Sequence, residues 1–294
     1  MKSVLTLVAN PEDLPSLSNT LEAAEARLQE LGATEISREW LKEGIAVDLL
    51  FSGNISASDI ESTTEPADWC LQAQENRKKK LLLADMDSTI ITVECIDELA
   101  DFAGLKEQVS EITEKAMRGE LEFDDAFKSR VAMLKGLKEE VLAKTFEERV
   151  TLTAGARTLI QTMKQNGAYS ALVSGGFTYF TGRVRDLVGF DMDEANELLF
   201  ENGGLTGEAA EPILNSSAKL ANLNRLLTEK NLVRSLSVAI GDGANDIPMI
   251  EAAGLGVAFH AKPKAQSAAN ATIRYGDLTT LLFYQGYTAA EFVS

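Results

Sequence analysis

The sequence predicts an α/β fold: a doubly wound, mostly parallel sheet with an inserted helical cap, preceded by a small amino-terminal α+β unit. Three observations carry this. From Gly155 onward, apolar runs alternate with helical stripes, the order that builds parallel strands and their covering helices. Between about 92 and 150 that alternation stops and the spacing is helical throughout. Before residue 75 a strand, a helix and two further strands follow one another with their own turns.

The chain's 294 residues suit about two domains, placed here at 1–75 and 76–294, the second carrying the cap at about 92–150. In the first, Ser3 to Ala9 reads as a strand and Asn10-Pro11 as a turn. Asp13 offers an N-cap, and Pro15 falls in the first helical turn, where its missing N–H costs little. Leu14, Leu17, Leu21, Ala24, Leu28 and Leu31 make one apolar stripe, closed by Gly32. Thr34 to Leu41 and Ile45 to Phe51 are strands about a Glu43-Gly44 turn, giving a β-α-β-β unit. A polar stretch from Ser52 to Pro66 follows. The basic run Arg77-Lys78-Lys79-Lys80 reads as a solvated approach to the buried strand Leu81–Ala84.

Within the cap, Ile96, Leu99 and Phe102 recur at helical spacing, as do Val109, Ile112 and Ala116, and then Phe123, Phe127, Val131 and Leu134. After it come a helix at Thr158–Gln165, a strand at Tyr169–Val173, a helix at Phe177–Leu187 and a hairpin about Asn202-Gly203-Gly204. A helix with hydroxyl caps spans Ser216–Glu229. A strand at Leu236–Ile240, a helix to Ala253, a strand at Leu255–Phe259 and a helix near Leu278 complete the chain.

Hydrophobic content of 45% and charged content of 25% are those of a globular protein. The formal charge of −17 argues against nucleic-acid and anionic-membrane partners, while leaving room for one phosphate in a local positive pocket. Cys70 and Cys95 alone suggest neither a disulfide framework nor a thiolate metal site. The amino terminus turns acidic too soon for a signal peptide and no run approaches about 20 apolar residues, so a cytoplasmic protein is expected.

The chemistry collects at strand ends. Leu81–Ala84 stops at Asp85 and Asp87, two acids with no basic residue beside them. Such a pair fits either an Asx turn or a hard divalent cation, with Mg²⁺ suited to carboxylate oxygens. A second strand ends in Ser174-Gly175-Gly176, a hydroxyl with open backbone N–H groups that serves an anion or an ordinary turn. A third ends in Gly241-Asp242-Gly243-Ala244-Asn245-Asp246, where Asp242 can ligate a cation and Asn245 can order a ligand. Lys219 stands in the first turn of a helix, where the dipole disfavours a cation; it either swings into solvent or meets a phosphate. Carboxyl ends of parallel strands face one way, so these groups can converge. His260, the single histidine, has no nucleophile-elbow sequence to serve and reads as structural. No G-x-G-x-x-G follows a strand, which argues against a dinucleotide site.

Asp85-Met86-Asp87-Ser88-Thr89, Ser174-Gly175-Gly176, Lys219 and Gly241-Asp242-Gly243-Ala244-Asn245-Asp246 resemble, in order, the four motifs of haloacid-dehalogenase-superfamily phosphatases. Glu94, the segment from Met117 to Gly136 and Ser174-Gly175-Gly176-Phe177 resemble the phosphoserine phosphatase family within it, over about residues 78 to 290. The amino-terminal unit is weakly similar to ACT-like domains. The resemblance implies hydrolysis of O-phosphoserine, the last step of serine biosynthesis, with Asp85 as nucleophile and Asp87 as general acid and base. Mg²⁺ would be held by Asp85, the Asp87 main chain and Asp242, and the phosphate by Ser174, Gly175 and Lys219, with Asn245 ordering the site. Arg130 would take the substrate carboxylate and Glu94 its ammonium group, with Met117 and Phe123 as pocket walls. Arg130 shares a helix face with Phe123, Phe127 and Leu134, so it either snorkels to the edge or needs an anionic partner. A phosphate-receiving signalling module and a phosphatase for another small metabolite are the rival readings. A homodimer is compatible with the sequence.

Overall fold

The computed structural model describes residues 2–117 and 120–293. Its elements, in chain order, open with β1 (Lys2–Val8), α1 (Ser16–Glu30), β2 (Thr34–Lys42), β3 (Ala46–Ser52), α2 (Ala57–Ile60) and β4 (Asp68–Ala73). After β5 (Leu81–Ala84) come the four cap helices α3 (Cys95–Phe102), α4 (Lys106–Met117), α5 (Phe123–Met133) and α6 (Glu139–Arg149). Strand and helix then alternate through α7 (Ala156–Gln165), β6 (Tyr169–Phe177), α8 (Thr178–Val188) and β7 (Met192–Asn196). The hairpin β8 (Leu198–Glu201) and β9 (Gly204–Ala209) leads to α9 (Ser216–Glu229), β10 (Ser237–Gly241), α10 (Ile247–Ala252) and β11 (Leu255–Phe259). The chain closes with α11 (Pro263–Ala268), β12 (Ala271–Ile273) and α12 (Thr280–Tyr284).

Ten strands form one sheet in the order β2-β3-β1-β4-β12-β11-β10-β5-β6-β7. The six from β12 to β7 run parallel, and the first four pair antiparallel. The α/β, mostly parallel class therefore stands, with one addition. Beyond the expected β-α-β-β unit, β4 pairs β1 on one side and touches β12 through Trp69 and Thr272 on the other. The two units thus share a continuous sheet, although Leu5, Leu17, Leu21, Leu28, Leu49 and Phe51 pack into a core of their own. β5 lies between β10 and β6, and this order positions the site: the three strands that end in unusual residues are immediate neighbours.

Local details differ from expectation where side chains choose between similar partners. Helix α1 starts at Ser16 with Pro15 in the cap position, and Asp13 contributes only its carbonyl, which accepts from the Ser16 N–H and hydroxyl. Its stripe is buried at Leu17, Leu21, Ala24 and Leu28, while Leu14 is exposed. Helix α9 is capped by the Asn215 side chain, which accepts from the Ser217 and Ala218 N–H groups, in place of a hydroxyl.

The basic run is not a solvated approach. Arg77 donates to both Asp48 oxygens (2.5 and 2.7 Å) and the Thr6 hydroxyl (2.7 Å) in the first unit. It also donates to the Tyr284 and Phe283 carbonyls (2.9 and 3.1 Å) in the second. Lys79 is buried and donates to the Asn76 and Ser235 carbonyls. A guanidinium has enough donors in one plane to join two elements in this way, and at the unit boundary it serves as a clamp. Arg77→Ala strands the buried Asp48 carboxylate and is expected to cost ~3 kcal/mol in chemical denaturation. Lys78→Ala, which breaks an exposed pair with Glu291, should cost under about 1 kcal/mol. Equal effects of the two would contradict the clamp.

The four cap helices leave and re-enter the sheet at adjacent points. Ile91 bridges Leu152, Thr92 N–H donates to the Thr151 carbonyl (3.0 Å), and Thr153 N–H to that of Ile90 (2.9 Å). Both ends of the insert are thereby fastened beside the turn that follows β5.

Candidate active site

Asp85 directly follows β5 and its N–H donates to the Ile240 carbonyl of the neighbouring strand (3.0 Å). The chain then makes a tight turn over Met86–Ile90 in which Ser88 adopts φ +55°. That turn aims the Asp87 carboxylate at the start of α3, where it accepts from the Cys95 N–H (2.9 Å), and at the Ser174 hydroxyl (3.4 Å). β6 continues past the expected end at Val173 and carries Ser174, Gly175 and Gly176 beside Asp87. A Cβ on Gly176 would lie 2.7 Å from an Asp87 carboxylate oxygen, and one on Gly175 2.8 Å from the Phe123 ring. The loop must therefore be side-chain-free both to approach Asp87 and to admit the cap above it.

Lys219 is fully buried and borders no solvent: its ammonium donates to Asp85 Oδ1 (2.5 Å) and Asp246 Oδ1 (2.6 Å). The cation that looked misplaced on its helix is thus neutralised from across the sheet, by side chains from β5 and from the turn after β10. Asp246 also accepts from the Gly243 N–H (3.1 Å), so both of its oxygens are engaged. Sequence reasoning assigned Asp246 no role, although the odd place of Lys219 was the signal that an anion was owed to it.

One oxygen each of Asp85, Asp242 and Asp246 lies within 4.8 Å of the others, and all three residues are buried. Burial pushes Asp85 up to about 7, with Asp246 adding to the effect and Lys219 opposing it. Asp242 is held well above the carboxylate range by burial, then by Asp246 and Asp85. Burial, working against the Lys219 charge, is overcome by Asp246 and Asp85, which hold its ammonium above the usual range. Three crowded acids against one internal cation leave a net demand for positive charge. The group has oxygen donors only, without His or Cys, which suits a hard divalent ion. The Asp87 carboxylate stands outside this group and is pushed up to about 6 by burial and by Asp85, with the Cys95 N–H opposing.

A cavity of about 280 Å³ opens in front of these acids. Its inner end is lined by Asp85, Asp87, Ser174, Gly175, Asp242 and Asn245, and its cap side by Glu94, Phe123 and Arg130. Arg130, whose side chain could equally have snorkelled outward, is instead 6% exposed and points inward; Phe123 stacks on Phe127 at 6.0 Å. Packing around Glu94 pushes it up to about 8, helped by Asp87, while the Ser88 hydroxyl (2.6 Å) and Arg130 oppose. Lys219 does not border the cavity and stands behind Asp85. Met117 ends α4, and its side chain lies outside the described residues. Thr113 and Lys264 also line the cavity and were not foreseen. His260 lies away from it, its ring nitrogen 2.9 Å from the Gly276 carbonyl.

The model of the haloacid dehalogenase-like hydrolase family matches residues 82–251. A phosphoserine phosphatase of Haemophilus influenzae is 46% identical over 202 residues, covering 69% of this chain; the chain spans 64% of that relative's length. A phosphoserine phosphatase of Saccharomyces cerevisiae is 33% identical over 304 residues, covering 99% of this chain and 98% of the relative. Among solved structures, a phospho-aspartyl intermediate analogue of phosphoserine phosphatase superposes with a TM-score of 0.68 at 40% identity, over 70% of this chain and 98% of the other. Among the described residues no helix is long and apolar enough to cross a membrane.

Proposed function

The chain belongs to the haloacid dehalogenase-like hydrolases and groups there with the phosphoserine phosphatases; from this we propose that it hydrolyses O-phosphoserine to serine and phosphate. One observation carries the choice of substrate. A single cavity presents a nucleophile-and-acid pair, Asp85 and Asp87, at its inner end, and an acid and a guanidinium, Glu94 and Arg130, on its cap side. A phosphomonoester whose alcohol bears both an ammonium and a carboxylate matches that array, and a sugar phosphate leaves both cap charges unpaired.

In this reading Asp85 attacks phosphorus, the bond from phosphorus to the serine oxygen breaks, and an aspartyl phosphate forms on Asp85. Asp87 gives its proton to the leaving oxygen, then takes one from the water that attacks the aspartyl phosphate. Its raised pKa supports the donor role, since an ordinary Asp near 3.9 would hold no proton to give. Ser174 and the Gly175 N–H bind phosphate oxygens, and Asn245 orders the same end. Lys219 acts mainly through Asp85 and Asp246. Asp85 and Asp242, with the Asp87 main chain, are the direct ligands of Mg²⁺ that the family resemblance implies, and Asp246, bonded to Lys219 and the Gly243 N–H, completes the acid cluster beside them. When bound, the ion supplies charge that offsets the meeting of an anionic ester with an anionic carboxylate. Placement in the cytoplasm and a homodimeric state belong to the same proposal.

The test is phosphate release. Metal-free protein should be inactive and Mg²⁺ should restore it, with O-phosphoserine preferred at least ~10-fold over O-phosphohomoserine, whose extra methylene the cavity must accommodate. Equal turnover of sugar phosphates would defeat the substrate assignment, and a long-lived phosphoprotein without turnover would favour the receiver module.

Glu94 adds a pH signature. Binding an ammonium group requires its ionised form, so below about 8 the free site must give up a proton on binding. KM should therefore fall as pH rises toward that value and then level, with the window displaced downward when a cation occupies the acid cluster. Glu94→Gln should raise KM and flatten this profile; a mutant profile parallel to wild type would show that Glu94 does not meet the ammonium.

A further inference from the structure

Arg130 carries five N–H donors into a buried position where, among the described residues, it has no carboxylate within ion-pair distance. Its Nε–H donates to the Ala126 carbonyl (3.2 Å) and Nη1 to the Thr113 hydroxyl oxygen (3.0 Å). Nη2 makes no hydrogen bond among the described residues, and the residue lines the cavity.

Thr113 is the unusual member. A helical Thr commonly back-bonds to its own helix, and the Thr113 hydroxyl does lie 3.0 Å from the Val109 carbonyl. What back-bonding does not explain is a buried hydroxyl that also accepts from a guanidinium and faces a carboxylate, Asp97 Oδ1 at 3.0 Å. The other Asp97 oxygen accepts from Ser110 (2.7 Å), so Asp97 is held by two hydroxyls of α4. Asp97 lies in the first turn of α3, three residues after Glu94. Three cap helices are thereby joined in series, Asp97 on α3 to Thr113 on α4 to Arg130 on α5, and the series ends at the guanidinium.

Resting on the substrate reading above, we propose that Thr113, oriented by Asp97, is a positioning residue that fixes the rotation of the Arg130 guanidinium and so sets selectivity for phosphomonoesters bearing a carboxylate. Two parallel N–H bonds to a carboxylate need the plane of the fork to be set, and one buried acceptor on Nη1 sets it. Without that acceptor the fork keeps only its Nε–H bond to the Ala126 carbonyl, which leaves the Nη arms free to rock, and the buried Nη1 donor is left unpaired.

The experiment compares O-phosphoserine with O-phosphoethanolamine, which keeps the ammonium and phosphate and lacks the carboxylate. Thr113→Val, of the same shape, should raise KM for O-phosphoserine about tenfold with kcat little changed, so that the ratio of kcat/KM between the two substrates collapses. Thr113→Ser, which keeps the hydroxyl, should restore the ratio to within about twofold of wild type. The helical circular dichroism signal reports folding of each variant. If the valine variant loses both activities and its helical signal, Asp97→Asn carries the same test, with about a threefold rise in KM expected for O-phosphoserine alone. A wild-type preference for O-phosphoserine that survives Thr113→Val, or an equal loss with both substrates in a folded variant, overturns the positioning role by itself. A wild type with no preference between the substrates overturns the substrate reading, and the positioning role with it.

Discussion

Asp85→Asn is expected to abolish turnover, by at least ~10⁴-fold in kcat, because the amide keeps the shape of the side chain and loses its nucleophilic oxygen. The fold should survive. Asp85 is one of three crowded acids, and neutralising it relieves its repulsion with Asp246 while Lys219 keeps Asp246 as a partner. The variant should therefore show an unaltered circular dichroism spectrum together with no phosphoenzyme. Rapid quenching with radiolabelled substrate checks this directly: wild type should carry an acid-stable label released by hydroxylamine. A label of that kind on the Asn variant would move the nucleophile elsewhere, with Asp87 the next carboxylate in the cavity.

Lys219→Met is expected to damage stability and activity together. The ammonium is the cation that bonds Asp85 and Asp246, and it sits at 0% exposure beside Asp246, which is equally buried and has no water to turn to instead. Removing one partner of a buried ion pair costs ~3–5 kcal/mol, which for a chain of this size lowers the thermal midpoint by ~10 °C. Turnover should fall by ~10³-fold, the scale associated with losing a preorganised charge beside the reacting group. A more diagnostic readout is the metal response. With Lys219 gone, the acid cluster has no internal cation, so Mg²⁺ should raise the midpoint of the variant by more than it raises that of wild type. Equal metal responses would mean that Lys219 and the cation do not share the same acids.

Much of this was legible in one dimension because the signals are local. The run Leu81–Ala84 followed at once by Asp85 and Asp87 is a buried strand that ends in charge, whatever surrounds it. The stripe at Leu17, Leu21, Ala24 and Leu28 has helical spacing and buries as a unit. The strands that escaped notice lack such signals. β12 is three residues long, β7 reads Met-Asp-Glu-Ala-Asn, and β4 follows a polar stretch that hides it. Their pairing energy comes from neighbours supplied by distant parts of the chain, and residue type alone does not report it.

The same division holds at the site. Periodicity and turn chemistry in the sequence determined which residues end strands, and the resemblance of the motifs pointed to the chemistry they could share. The tertiary structure decided who faces whom: that β5 lies between β10 and β6, that Lys219 reaches Asp85 and Asp246, that Arg77 joins two units, and that Arg130 turns inward onto Thr113. Charge and hydrogen-bond partners are chosen by distance in space and by the loss of water, and spacing along the chain encodes neither.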